Sequence, residues 1–100
     1  MLTAKLIMKE IEKNFQFIKR FGVKKIGLFG SYVKNEQNSK SDIDILVEFE
    51  KGKKTFDNYM DLKFYLEDLF KLKVDLIISD KIKPGLRSSI LGSVMYASGL

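Results

Sequence analysis

The sequence predicts a small α/β domain: a mixed sheet of three to four strands with helices packed on it. Three observations point there. Apolar residues recur at helical spacing in the first twenty residues and again between positions 59 and 70. Short β-rich runs ending in turn residues stand between and after these helices. A total of 100 residues with 45% hydrophobic content is enough for one core, so residues 1–100 are expected to form a single domain.

In chain order, Ile7, Ile11, Phe15 and Ile18 place one apolar stripe on a helix from Thr3 to Phe21, with Thr3 as N-cap and Gly22 as its stop. Lys25-Ile26-Gly27-Leu28-Phe29 reads as a strand that ends at Gly30-Ser31. Residues 34–41 are polar and form a loop, after at most one helical turn. Asp42 to Phe49 is a second strand and Lys51-Gly52-Lys53-Lys54 a turn. Tyr59, Leu62, Leu66, Leu69 and Phe70 mark an amphipathic helix, and Lys73 to Ser79 a third strand. Beyond Pro84, Leu86 to Ala97 is weakly helical, with Gly92 unfavourable inside it.

Composition removes several kinds of chemistry. Cysteine and histidine are both absent. There can be no disulfide, thiolate metal site, Ser-His-Asp triad or zinc site of the usual kind. An enzyme built from this chain must use carboxylates, hydroxyls, lysines and metal ions. No run approaches the roughly 20 apolar residues that span a bilayer, and no signal-peptide core begins the chain, so a cytoplasmic location is expected. The net charge of +5 favours polyanions such as nucleoside triphosphates, although the lysines also serve as an ordinary solvated surface.

The second strand carries the sharpest signal. Alternation puts Asp42, Asp44, Leu46 and Glu48 on one face and Ile43, Ile45, Val47 and Phe49 on the other, core-facing side. Two carboxylates at i and i+2 repel each other unless one takes a proton or a cation lies between them. A hard divalent ion, Mg²⁺ above all, meets that need with oxygen ligands. In the third strand Val74, Leu76 and Ile78 form the core face and leave Asp75 on the other, where it joins the pair if the strands are neighbours. Three such carboxylates suit two-metal phosphoryl or nucleotidyl transfer. Gly30-Ser31, at a strand end, can bring backbone N–H groups and a hydroxyl against phosphate. Each feature alone is ordinary: a turn, a loop entering a strand, an exposed acid. An EF-hand is excluded because Ile45 to Val47 stand where its loop needs oxygen ligands.

Together they carry a resemblance. Gly30-Ser31, ten intervening residues and Asp42-Ile43-Asp44 resemble the signature of the polymerase-β-type nucleotidyltransferase superfamily, and Asp75-Leu76-Ile77 resembles its third carboxylate. The short chain and the ending Leu86-Arg87, Ile90-Leu91, Val94-Met95-Tyr96 are most similar to the minimal nucleotidyltransferase (MNT) branch. The resemblance implies a polymerase-β-like fold. It also implies transfer of a nucleoside monophosphate from an NTP to a hydroxyl, with Gly30, Ser31 and Lys34 on the triphosphate and Asp42, Asp44 and Asp75 as catalytic metal ligands. Many MNT proteins are antitoxins of HEPN-domain toxins, and some add AMP to a toxin tyrosine. The implied function is therefore Mg²⁺-dependent adenylylation of a HEPN partner from ATP. Two alternatives are an antitoxin that neutralises by binding alone and a basic nucleic-acid-binding module. The latter ranks last, since Lys19, Lys24, Lys25, Lys51, Lys53 and Lys54 lack regular aromatic interleaving.

Two departures bear on the site. Val33-Lys34-Asn35 stands where many relatives carry Arg-Gly; Lys34 keeps the charge without the bidentate grip of arginine, and Asn35 tolerates a left-handed backbone. Gly92-Ser93 falls near a glutamate common in relatives. With no residues left for a second-substrate domain, either a partner is expected to present the acceptor or the domain is expected to work in an oligomer. The outer side of residues 59–70 and the tail from Val94 to Leu100 are the two candidate contact surfaces.

Overall fold

A computed structural model describes residues 2–97. The elements run α1 (Ala4–Lys13), α2 (Phe15–Ile18), a 3-10 turn (Lys19–Phe21), β1 (Val23–Phe29), β2 (Ile43–Phe49), α3 (Phe56–Phe70), β3 (Val74–Ile78), a second 3-10 turn (Ser79–Lys81), α4 (Pro84–Ser93) and β4 (Met95–Tyr96). The sheet order is β3-β2-β1-β4. β1 is antiparallel to both its neighbours, and β2 and β3 are parallel, joined by α3. The mixed α/β class read from the sequence is the one observed.

The expected first helix is broken. Thr3 caps it as expected, accepting the Leu6 N–H at 3.3 Å. At Asn14, however, the side-chain amide donates to the Glu10 carbonyl at 2.8 Å, which the Asn14 N–H also uses. This local competition ends α1 and starts α2 from a new N-cap. Gly22, left-handed at φ +80°, stops the segment. The apolar stripe survives the break: Ile7, Ile11, Phe15 and Ile18 are all buried.

The helix expected over Leu86–Ala97 starts earlier and ends sooner. Pro84 occupies its first turn, where no N–H is needed, and it stops at Ser93. Val94 is extended, and Met95–Tyr96 pairs with Gly27 and Leu28 as an edge strand. Gly27 permits this: a Cβ there would stand 2.8 Å from Val94 Cγ2 and 2.9 Å from the Met95 carbonyl oxygen. Of the tail offered as a contact surface, residues 98–100 lie outside the described residues.

The core lies mainly on one face. Ile26 and Leu28 of β1, Ile43, Ile45 and Val47 of β2, and Val74 and Leu76 of β3 pack under α1, α2 and α3, where Leu62 and Leu66 are fully buried. On the other face Phe29, Leu46 and Ile82 make a smaller cluster, closed by Ile90, Leu91 and Val94 from α4 and its exit. Leu46, which shares the aspartate face by alternation, is therefore buried too. No helix among the described residues is long and apolar enough to cross a membrane.

Candidate active site

β1 ends in a tight turn. Gly30 is left-handed at φ +76°, and the N–H groups of Lys34, Asn35 and Glu36 donate back to Gly30, Tyr32 and Ser31 carbonyls at 2.8–3.3 Å. Asn35 takes the left-handed conformation its chemistry allows, at φ +57°. Tyr32 points into the core and anchors the turn from below. The N–H groups of Tyr32 and Val33, not consumed by these turn bonds, remain as donors beside Gly30.

The turn opens onto β2. In the antiparallel ladder Phe29 is paired with Asp44, and in the parallel ladder Asp44 is paired with Asp75. Neighbouring strands lie about 4.8 Å apart, so these two carboxylates are lateral neighbours. Asp42 lies one step before β2, exposed, in a loop where the Asn38 N–H donates to Ser41 Oγ at 2.9 Å. Gly30 belongs to the same constellation. A Cβ on it would land on Asp44 Oδ2, so glycine is what lets the turn and the carboxylate face each other.

Electrostatics ties the group together. Burial pushes the Asp44 carboxyl above its ordinary value of 3.8, and the charges of Asp75 and then Asp42 push it further the same way. The Ser31 N–H donates to it and opposes the shift. Among the described residues no three acids stand close enough together to form a ready-made cation cage. The donor chemistry nonetheless fits a hard divalent ion: three oxygen-bearing side chains, one half-buried and disfavoured as an anion by the other two. Lys34 is exposed on the turn and engaged in no ion pair among those described. The sequence reading missed the Ser31–Asp44 hydrogen bond, for which a linear pattern holds no signal.

A glycine-serine turn closing on aspartates of adjacent strands defines a site of the nucleotidyl-transfer class. The chain belongs to the nucleotidyltransferase domain family, whose pattern matches residues 8–96, and it is a nucleotidyltransferase. It is 40% identical to the protein adenylyltransferase MntA of Thermococcus cleftensis over 93% of this chain and 98% of that protein. It is 42% identical to an assigned protein adenylyltransferase of Methanocaldococcus jannaschii, over 96% and 99% of the two chains. Among solved structures, one assigned as a minimal nucleotidyltransferase superposes with a TM-score of 0.80 at 29% identity, covering 94% of this chain and 95% of its own. The fold is also shared with a toxin-antitoxin structure containing AMP-PNP, at a TM-score of 0.69 and 24% identity over 89% of this chain and 73% of that one.

Proposed function

We propose that this chain, working as one domain, transfers AMP from ATP to a hydroxyl of a partner protein, a tyrosine of a HEPN-domain toxin, and so acts as its antitoxin. The observation that carries the chemistry is Gly30 held against Asp44 with Asp75 beside it in register. The protein-adenylylating relatives at about 40% identity support the acceptor class. An MNT antitoxin of this fold in complex with a tri-AMPylated HEPN toxin from Shewanella oneidensis illustrates the kind of partner the family resemblance implies.

In this reading the N–H groups of Tyr32 and Val33, the Ser31 hydroxyl and Lys34 bind the triphosphate oxygens. Asp42, Asp44 and Asp75 would hold magnesium, which supplies charge neutralisation at the triphosphate when bound. The acceptor oxygen forms a bond to the α-phosphorus as the bond from that phosphorus to the bridging oxygen breaks. Pyrophosphate leaves with the electron pair, and the hydroxyl proton passes to the Asp75 carboxylate and then to solvent. Transfer is in line, so the acceptor approaches from the side opposite the departing pyrophosphate.

The test is incubation with labelled ATP, Mg²⁺ and the product of the neighbouring gene. Label is expected on the partner, falling on the order of 10³-fold in Asp42→Asn and Asp44→Asn. Protection from toxicity that persists undiminished in both variants overturns catalysis in favour of neutralisation by binding alone. Salt-sensitive binding of RNA or DNA without NTP would instead point to the nucleic-acid reading.

A further inference from the structure

β3 is an outer strand of the sheet as well as the strand that bears Asp75. Its rim is closed to one kind of partner and open to another. The Ile43 N–H donates to the Lys73 carbonyl at 2.9 Å, so alternate residues 73, 75 and 77 direct their backbone groups at β2. Those of Val74, Leu76 and Ile78 therefore face outward. Side chains of α3 occupy two of these groups: Glu67 accepts the Val74 N–H at 2.9 Å, and the Tyr59 hydroxyl donates to the Leu76 carbonyl at 2.6 Å. An added strand would have to displace both, so the rim is protected against edge pairing.

Side chains can dock where a strand cannot. Two adjoining hollows of about 320 and 350 Å³ run along this rim and share Tyr59, Ile78 and Lys81. Leu76 and Ile77 floor one, and Phe56, 77% exposed, walls the other. The lining is mostly apolar, with Thr55 and the lysines as its polar members, and no acid lines either hollow. Lys54 is paired with Asp80 at 2.6 Å, and the charge of Lys81 acts on the same carboxylate without forming an ion pair among the described residues. The groove thus offers an apolar seat and a rim of net positive charge, Lys54 and Lys81 against the single carboxylate of Asp80, starting at the residue that follows Asp75.

We infer that this groove holds the polypeptide acceptor beside its modified hydroxyl, selecting an extended segment with a large apolar residue followed by an acid. This rests on the protein-acceptor reading above and specifies its substrate. Asp75 lies three residues from Ile78, about 10 Å along a strand. An extended peptide covers that span in about three residues. The apolar anchor seats on Tyr59, Ile78 and Phe56, and the acid meets Lys81. The acceptor hydroxyl then falls at Asp75.

The probes are synthetic peptides carrying tyrosine with Phe-Glu three residues away, on either side in turn, and matched peptides with Gly-Lys instead. Transfer of labelled AMP to the better Phe-Glu peptide is expected to show a kcat/KM at least about tenfold higher, mostly through KM. Phe56→Ala and Lys81→Glu should each abolish the preference, and Lys81→Glu should recover activity on a Phe-Lys peptide. The affinity for magnesium-ATP, read with a fluorescent analogue, should be unchanged in both variants, which also reports that they fold. Equal use of the two peptides, or a preference that survives both substitutions, overturns the groove. Transfer to the HEPN partner, run in parallel, separates the two levels. Labelling of that partner that Phe56→Ala and Lys81→Glu leave intact removes only the groove. Failure of the unmodified enzyme to label either partner or peptides removes the protein-acceptor reading itself.

Discussion

The two faces of the sheet are built to different standards. The face under α1, α2 and α3 is continuous hydrocarbon, with Ile7, Ile11, Ile18, Leu28, Ile43, Ile45, Leu62 and Leu66 all at zero exposure. The face under α4 has a three-residue cluster and then gives way, two residues along β2 from Leu46, to the Asp44 side of the site. None of the α4 residues is buried. A domain of this size has a total stability of about 5–15 kcal/mol, and the first face must supply most of it. The second face can then carry like charges side by side and a helix that is only lightly held. Stability and chemistry are separated by a single sheet's thickness, and substitutions on the two faces should fail in different ways.

The largest effect belongs to the site. Gly30→Ala places a methyl group on the Asp44 carboxylate and forces a left-handed alanine, a conformation that costs about 1–2 kcal/mol. AMP transfer should fall by about 10²-fold or more, since small misplacements of a reacting group cost that much. Gly85→Ala, in open space on α4, serves as the control and should leave transfer unchanged. Measuring transfer with the thermal melt separates lost catalysis from lost fold.

A direct comparison of packing comes next, read as stability instead of transfer. Leu66→Ala opens a hole in the closed face and should cost about 3–5 kcal/mol. Leu46→Ala removes the same atoms beneath α4 and should cost about 2–3 kcal/mol, because its partly buried neighbours Ile77, Ile90 and Leu91 can settle into the space. Urea unfolding of the two variants measures the difference; equal losses would mean that the α4 face is packed as firmly as the other. Gly27→Ala is smaller again, about 1–3 kcal/mol, since the Met95 carbonyl must retreat from the new methyl. Its signature is local. The Ala97 amide, which donates to the Ile26 carbonyl at 2.9 Å, should exchange faster while the Ile45 amide does not change.

The same contrast governs what could be read before any coordinates. The closed face follows from alternation and helical spacing: Ile43, Ile45 and Val47 on β2 and Leu62 and Leu66 on α3 are where periodicity puts them. The aspartates were legible because i and i+2 share a strand face, and the left-handed Asn35 because few other residues adopt that backbone readily. What periodicity does not encode is competition and coincidence. Asn14 breaks a helix through a side-chain bond that costs the apolar stripe nothing. A two-residue β4 exists because Gly27, far away in sequence, leaves room for it. The caps that Tyr59 and Glu67 place on the β3 rim join residues separated by 17 and 7 positions through geometry alone. The site residues Gly30, Asp44 and Asp75 are brought together as expected, whereas Asp42 stands just outside the strand assigned to it.

The smallest effect has the opposite sign to the rest. The fold disfavours the charge of the Asp44 carboxyl, through burial first and then through Asp75 and Asp42. Its folded pKa is raised above the ordinary 3.8, so as pH climbs the unfolded chain releases this proton before the folded one does. Between those two values the folded state binds more protons, and stability falls with rising pH; above both, the loss is constant. Asp44→Asn removes the titration. In EDTA at neutral pH it should melt a few degrees above the unsubstituted protein, with the gain shrinking on acidification and gone below 3.8. Magnesium should reverse the ranking, because an ion that binds only the folded state raises the melting temperature of the chain that keeps its ligands. Melts with and without magnesium across this pH range read both signs at once. An Asp44→Asn variant less stable than the parent in EDTA at neutral pH would show that the Ser31 N–H outweighs the repulsion, and that the second face carries no electrostatic strain for a cation to relieve.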